Sequence, residues 1–234
     1  MLTIAIAELK MMLRNRLVAL CVVLIPLMFG VIFMLNQTQG AEGVIATLQI
    51  VAMAGIGVYV GATTTLAGRR QTLFLKRLRS GALSDRSILS GLVLPLVLVN
   101  VVQIVAVLIV LIVREGSMPQ QPWWLLLSLV ATEVMFAGFA LATAGVTNSP
   151  EHAQFTTLPV FFATLGVTFW VVTTGFSDLG MLKRLLPGGG TADLAIAAWT
   201  GELDGAVVSV LGLVGWAVVA VLAARVMFRW EPRV

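Results

Sequence analysis

The chain has 234 residues, of which 59% are hydrophobic and only 11% charged, and its mean hydropathy is +1.01. A soluble domain carries roughly a quarter of its residues as charged groups, so composition excludes an ordinary water-soluble globule. One cysteine, Cys21, and one histidine, His152, exclude an intrachain disulfide and a cluster of soft metal ligands, and the net charge of +4 reflects basic residues beside apolar runs rather than a nucleic-acid face.

Residues 1–16 set Ile4, Leu9, Met12 and Leu13 among Glu8, Lys10, Arg14 and Arg16. This mixture reads as an amphipathic helix lying along a membrane interface, with a plain positively charged flank as the alternative. Six apolar runs follow, over 17–35, 44–67, 88–113, 123–146, 155–174 and 206–228. Each approaches or exceeds the roughly 20 helical residues that cross about 30 Å of hydrocarbon. The expected fold class is therefore an all-α membrane protein with six transmembrane helices in one domain over 1–234. The segment before the first run is longer than the basic part of a usual signal peptide, and no A-x-A site follows Leu35, so that run is expected to be retained. The run 44–67 carries Thr47, Gln49, Thr63, Thr64 and Thr65, yet without it the basic segment behind it would fall on the wrong side of the membrane.

Orientation follows from where Lys and Arg fall. Lys10, Arg14 and Arg16, then Arg69, Arg70, Lys76, Arg77, Arg79 and Arg86, then Arg225, Arg229 and Arg233 all lie on one predicted side. Arg114, Lys183 and Arg184 lie on the other, among Glu42, Glu115, Asp178, Asp193, Glu202 and Asp204. The positive-inside rule then makes both termini cytoplasmic and the number of spans even. Small residues at Gly57 and Gly61 and at Ala140 and Ala144 have the spacing that lets helices approach closely, and Pro26, Pro95 and Pro159 interrupt the backbone bonding of their runs. No internal repeat is visible, which argues against a carrier built from inverted halves.

Four segments carry candidate chemistry. In the loop 68–86, Leu75 and Leu78 share one helical face while Lys76, Arg77 and Arg79 line the others; Gly81 stops this short helix and Ser84 starts the next, with Ser87 and Ile88 beyond. Such a helix suits docking by a cytoplasmic partner, although a basic loop is also what topology alone demands. Glu133 is the one acid deep in a run, where an unpaired carboxylate costs several kcal/mol, about 2.5–3.5 on insertion scales. It either attracts a cationic substrate or hydrogen-bonds a Thr or Asn of a neighbouring helix, with Asn100 as candidate. Residues 175–205 form a long outer loop whose apolar stretches 181–186 and 192–199 are too short to span; their aliphatic and Trp content favours burial or membrane contact over an ordinary extracellular loop. Within it the glycines 188–190 read as a loop, since no Lys-Ser/Thr follows to make a phosphate-binding motif. Trp123, Trp124, Trp199 and Trp230 lie near span ends, as an aromatic belt would, and His152 reads as a solvated loop residue.

The string Leu-Lys-Arg-Leu-Arg-Ser-Gly-Ala-Leu-Ser at 75–84 resembles the loop after the second span of type-2 ABC exporter permeases. The ending Phe-Arg-Trp-Glu-Pro-Arg at 228–233 is similar to that of daunorubicin-resistance-type efflux permeases. Arg70-Gln71 stands where that family commonly has an acid, and Ala82 where it often has Pro. The resemblance implies a non-enzymatic permease of a bacterial cell membrane that pairs with a second permease, identical or related. It also implies a separate ATP-binding subunit, holding ATP and Mg, docked through Thr72, Leu75, Lys76, Arg77, Leu78, Arg79 and Leu83. By the same resemblance the stretches 181–186 and 192–199 would be short re-entrant or interfacial helices at the outer mouth, and the implied cargo is hydrophobic drugs, antibiotics or lipids. Export of polysaccharide or glycolipid, an ion-driven secondary transporter and a non-transporting scaffold remain alternatives. The transporter alternatives would call for aromatics lining a continuous channel and for paired intramembrane charges, respectively.

Overall fold

The computed structural model describes residues 40–81, 84–202 and 204–230, and the isolated positions Ile6, Lys10, Leu24, Leu27, Met28, Val31, Ile32 and Leu35. Among the described residues every regular element is helical: α1 (Glu42–Gln71), α2 (Phe74–Arg79), α3 (Asp85–Glu115), α4 (Pro122–Val146), α5 (Pro150–Thr174), α6 (Gly180–Leu185), α7 (Gly189–Thr200) and α8 (Ala206–Met227). Five of them, α1, α3, α4, α5 and α8, are long and apolar enough to cross a membrane. The helix expected over 1–16 and the span expected over 17–35 lie, as continuous elements, outside the described residues.

The long helices start and stop where capping chemistry sits rather than where hydrophobicity ends. Ser84 accepts from the Ser87 N–H at the start of α3, and Ser149 accepts from the His152 N–H ahead of Pro150 in α5. Each cap satisfies a backbone donor that the helix itself leaves open. Both helices therefore begin several residues before their apolar runs, and His152 falls in the exposed first turn of α5 instead of in a loop. Gly116 and Gly175, at φ +66° and +63°, end them in backbone that side chains disfavour.

A comparatively polar run became the central helix. In α1, 83% of the most apolar stretch is buried, against 22% in α5. Thr47, Gln49 and Thr63 are fully buried. Thr47 and Thr63 donate back to the carbonyls of Gly43 and Tyr59, each at 2.7 Å, which satisfies their hydroxyls without water. The Tyr59 hydroxyl meets the Thr143 hydroxyl of α4 at 3.0 Å. Residues Ala54–Val60 of α1 are wound as a π-helix, and they face α3, α4 and α5.

Glycines decide how close the helices come. A Cβ on Gly138 would lie 2.8 Å from the Ala220 carbonyl carbon, and one on Gly145 would collide with the Met227 carbonyl oxygen, so α4 and α8 touch backbone to backbone at two points seven residues apart. Of the Gly57–Gly61 pair only Gly57 is crowded, by Asn100 of α3, whereas the nearest atom to a Cβ on Gly61 is 3.8 Å away.

Two expectations for the outer loop are corrected. The glycines 188–190 are not a loop: Gly188, at φ +93°, caps α7, and Gly189 and Gly190 are its first residues. A side chain at these positions would strike Thr168 of α5, the Lys183 carbonyl of α6 and the Ser209 carbonyl of α8, in that order, so the run is the junction of three elements. Trp199 does not join an interfacial belt. It is 8% exposed and packs with Ile45, Ile50, Ile104 and Leu111, because α7 lies inside the bundle against α1, α4 and α8.

These contacts set a stability prediction. Gly145→Ala places its methyl against a backbone oxygen and is expected to cost about 1–3 kcal/mol or more, as overpacking does. Gly166→Ala, with nothing within 4 Å, is expected to be neutral or mildly stabilising. Unfolding of the two purified variants in SDS or by heat distinguishes them, and equal losses would contradict the packing.

Candidate functional site

Charges segregate to the two ends of the bundle. At one end, the α1 C-terminus meets the α4 C-terminus through Arg70, Gly145 of α4 touches Met227 of α8, and Gly68 faces Pro150 of α5. Arg69, Arg70, Lys76, Arg77, Arg79, Arg86, Arg225 and Arg229 gather there, with Asp85 and Glu151. At the other end Gly43 touches Ile196, the Gln121 N–H donates to Ala198, and α6 and α7 fold back over the α5 C-terminus. The cations of that end are held locally. Lys183, 1% exposed, donates to the Thr174 hydroxyl at 2.8 Å and the Gly175 carbonyl at 2.7 Å, closing α5. Arg184 pairs with Asp193 at 2.9 Å and donates to the Asp204 carbonyl, while Asp193 also accepts from Ser209. Arg114 pairs with Glu115 at 3.3 Å. A cavity of about 490 Å³ opens beside this network, lined by Phe176, Arg184, Asp193, Thr200, Glu202 and Asp204 among others.

The loop helix α2 is seated at the basic end. Thr72 closes α1, and Leu73, at φ +56°, turns the chain through the left-handed region at a cost of about 1–3 kcal/mol. Leu75 is fully buried among Leu66, Ile88 and Ala144, and Leu78 packs on the same cluster. Both leucines therefore point into this chain's own core. Lys76, Arg77 and Arg79 are exposed. Arg77 donates to the Thr72 carbonyl at 2.9 Å, and Arg79 pairs with Asp85 at 3.2 Å and lies 5.0 Å from the ring of Trp230. What α2 offers to the outside is Thr72, Leu73 and the three cations. Leu83 lies outside the described residues.

Sequence reasoning missed the role of Arg70. It is 1% exposed and donates to the carbonyls of Gly145, at 2.9 Å, and Thr147, which end α4 without intrahelical donors. A buried cation in the last turn of α1, just ahead of α2, thus ties that turn to the end of α4. Charge counting had no means of separating it from the exposed Lys76, Arg77 and Arg79.

Deep in the bundle the Asn100 amide donates to a Glu133 carboxylate oxygen at 2.6 Å, joining α3 to α4. Asn100 is 2% and Glu133 3% exposed. The remaining oxygens, Asn100 Oδ1 and Glu133 Oε2, have no hydrogen-bond partner among the described residues. Asn100 Oδ1 lies over Gly57, in the π-helical part of α1, at a place where any side chain would collide with it. The pair thus joins three helices at one level, and π-helical turns recur at functional positions.

No family model matches the chain, and no curated protein matches its sequence. Arg70→Leu is expected to destabilise the bundle by about 2 kcal/mol or more, since two buried carbonyls lose charge-assisted donors. The exposed Arg77→Leu is expected to change stability by about 0.5 kcal/mol or less. Thermal unfolding in detergent checks both.

Proposed function

We propose that the chain is the membrane-spanning subunit of a type-2 ABC exporter of the daunorubicin-resistance kind, moving hydrophobic drugs, antibiotics or lipids outward with energy from a separate ATP-binding chain. The observation that carries this reading is α2. A six-residue helix is plugged by Leu75 into the core against α1 and α3 and turns Lys76 and Arg77 outward. A push on its exposed face has a rigid path into two long helices, as alternating access driven from outside the bilayer requires. In this reading the basic end faces the cytoplasm of a bacterial cell, with both termini there. A sixth span over 17–35 precedes α1, with residues 1–16 along the inner interface. The helices α6 and α7 close the outer mouth, and a second permease pairs with this one. ATP and Mg belong to the partner chain, for which Thr72, Lys76, Arg77 and Arg79 form the landing face.

The test is a mild-detergent pull-down of the tagged chain. Wild type is expected to bring down a soluble ATP-binding protein, and Lys76→Glu/Arg77→Glu to reduce that recovery about tenfold, the worth of about 1.4 kcal/mol. Both side chains are exposed, so the variant should keep its unfolding temperature. A folded wild type that recovers no ATP-binding protein would remove the main support for the exporter.

The Asn100–Glu133 pair favours a second reading, an ion-driven carrier, because buried carboxyls mark ion paths in membranes. Transport in inverted vesicles separates the two. For the exporter, ATP sustains transport after the proton gradient is dissipated, and Glu133→Gln slows cationic cargo more than neutral cargo. Transport that stops with the gradient favours the carrier, and equal slowing of both cargoes removes Glu133 from charge recognition.

A further inference from the structure

We propose that the outer face of α4 and α8 holds one anionic phospholipid, its phosphate on Arg225 and an acyl chain in the groove between the two helices. Two cavities, of about 480 and 300 Å³, share Val134, Val221 and Arg225 and so form one continuous groove. Apart from Arg225, its lining is apolar: Ala131, Val134, Ala137, Val214 and Val218 are typical. The floor is the close contact of Gly138 with Ala220, which brings the helices together and leaves their flanking valines standing as walls.

Length and charge choose the occupant. From Val214 to Arg225 the groove covers eleven helical steps, about 16 Å at about 1.5 Å each. That is about half of a 30 Å hydrocarbon core, the depth of one leaflet. Arg225 exposes its side chain at the basic end and makes no ion pair or hydrogen bond among the described residues, unlike Arg70 and Arg79. An exposed cation at the polar end of a leaflet-deep apolar groove matches a phosphate carrying a chain. A second copy fits less well, because a two-fold interface across this groove would bring two Arg225 side chains to the same depth. This inference rests on the membrane-spanning reading of α4 and α8 and is independent of what the chain transports.

The experiment is native mass spectrometry of purified, delipidated protein titrated with phosphatidylglycerol or phosphatidylcholine of the same chains. One phosphatidylglycerol is expected to bind about fivefold more tightly than phosphatidylcholine, the worth of one basic contact at a charged membrane surface. Arg225→Gln should erase the preference, and Arg225→Lys and Arg229→Gln should keep it. Equal binding of the two lipids, or a preference that survives Arg225→Gln, overturns the proposal. So does efficient self-crosslinking of Val218→Cys in a Cys21→Ser background, which would put a second copy over the groove. The wild-type preference and the lysine variant keep the test decisive if Arg225→Gln does not fold.

Discussion

A helix that carries glutamine, threonine and a terminal arginine cannot present them to hydrocarbon, and the bundle is arranged so that α1 never has to. Each unsatisfied polar group in a lipid core costs several kcal/mol. The remedy here is local where it can be, through threonine hydroxyls bonded back to carbonyls four residues earlier. Elsewhere it is interhelical, through Tyr59 to Thr143 and Arg70 to the end of α4. Once α1 occupies the middle, the other helices must pack around it, and the faces they turn away can be purely apolar. Val102, Ile109 and Val113 of α3, Phe155 and Phe162 of α5, and Leu211 and Val226 of α8 are all strongly exposed. Exposed aliphatic rows on this scale are stable in lipid and hazardous in water.

The same economy explains the two ends. Helix termini leave carbonyls open, and this chain closes two of them with buried cations, Arg70 on α4 and Lys183 on α5. The two residues act at opposite ends, so the basic side of the molecule is made by the cations left over. At the basic end Lys76 and Arg77 are carried outward on α2, and at the other Arg184 is absorbed by Asp193 and Asp204. An amphipathic helix anchored by one leucine in a crowded junction differs from a free loop: displacement of α2 must either move α1 and α3 or break the burial of Leu75.

The long helices were legible because apolar length is a strong signal; Leu75 and Leu78 share a face of α2, but that face packs into this chain's own core, which spacing alone did not separate from a face awaiting a partner. Interior polarity was harder. Thr47, Gln49 and Thr63 weaken the apolar signal of the helix that is buried most, since hydropathy records preference for lipid and not burial among helices. Asn100 could be offered as a partner for Glu133 because a buried carboxyl must find a donor. Which of the buried polar side chains on neighbouring helices it would find depended on the register of α3 against α4, which no local pattern encodes. The outer segment failed most clearly at the glycines 188–190. A glycine run reads as flexibility in one dimension, and only the three elements converging on it show that the side chains are missing for lack of room. The α4–α8 seam at Gly138 and Gly145 escaped for a related reason, as a seven-residue spacing is common by chance and gains meaning only against Ala220 and Met227.

The central claim is that α1 crosses the membrane, so that the basic end carrying α2 and the end carrying α6 and α7 lie on opposite sides. Its most direct test is labelling of Ser80→Cys and Ser177→Cys, each in a Cys21→Ser background, with a membrane-impermeant maleimide. Both positions are exposed, one just after α2 and the other between α5 and α6. Labelling of Ser177→Cys in intact cells and of Ser80→Cys only in inverted vesicles is the predicted result. Labelling of both from the same side would contradict the account, for the bundle would then not span the membrane in the order that its charges and contacts require.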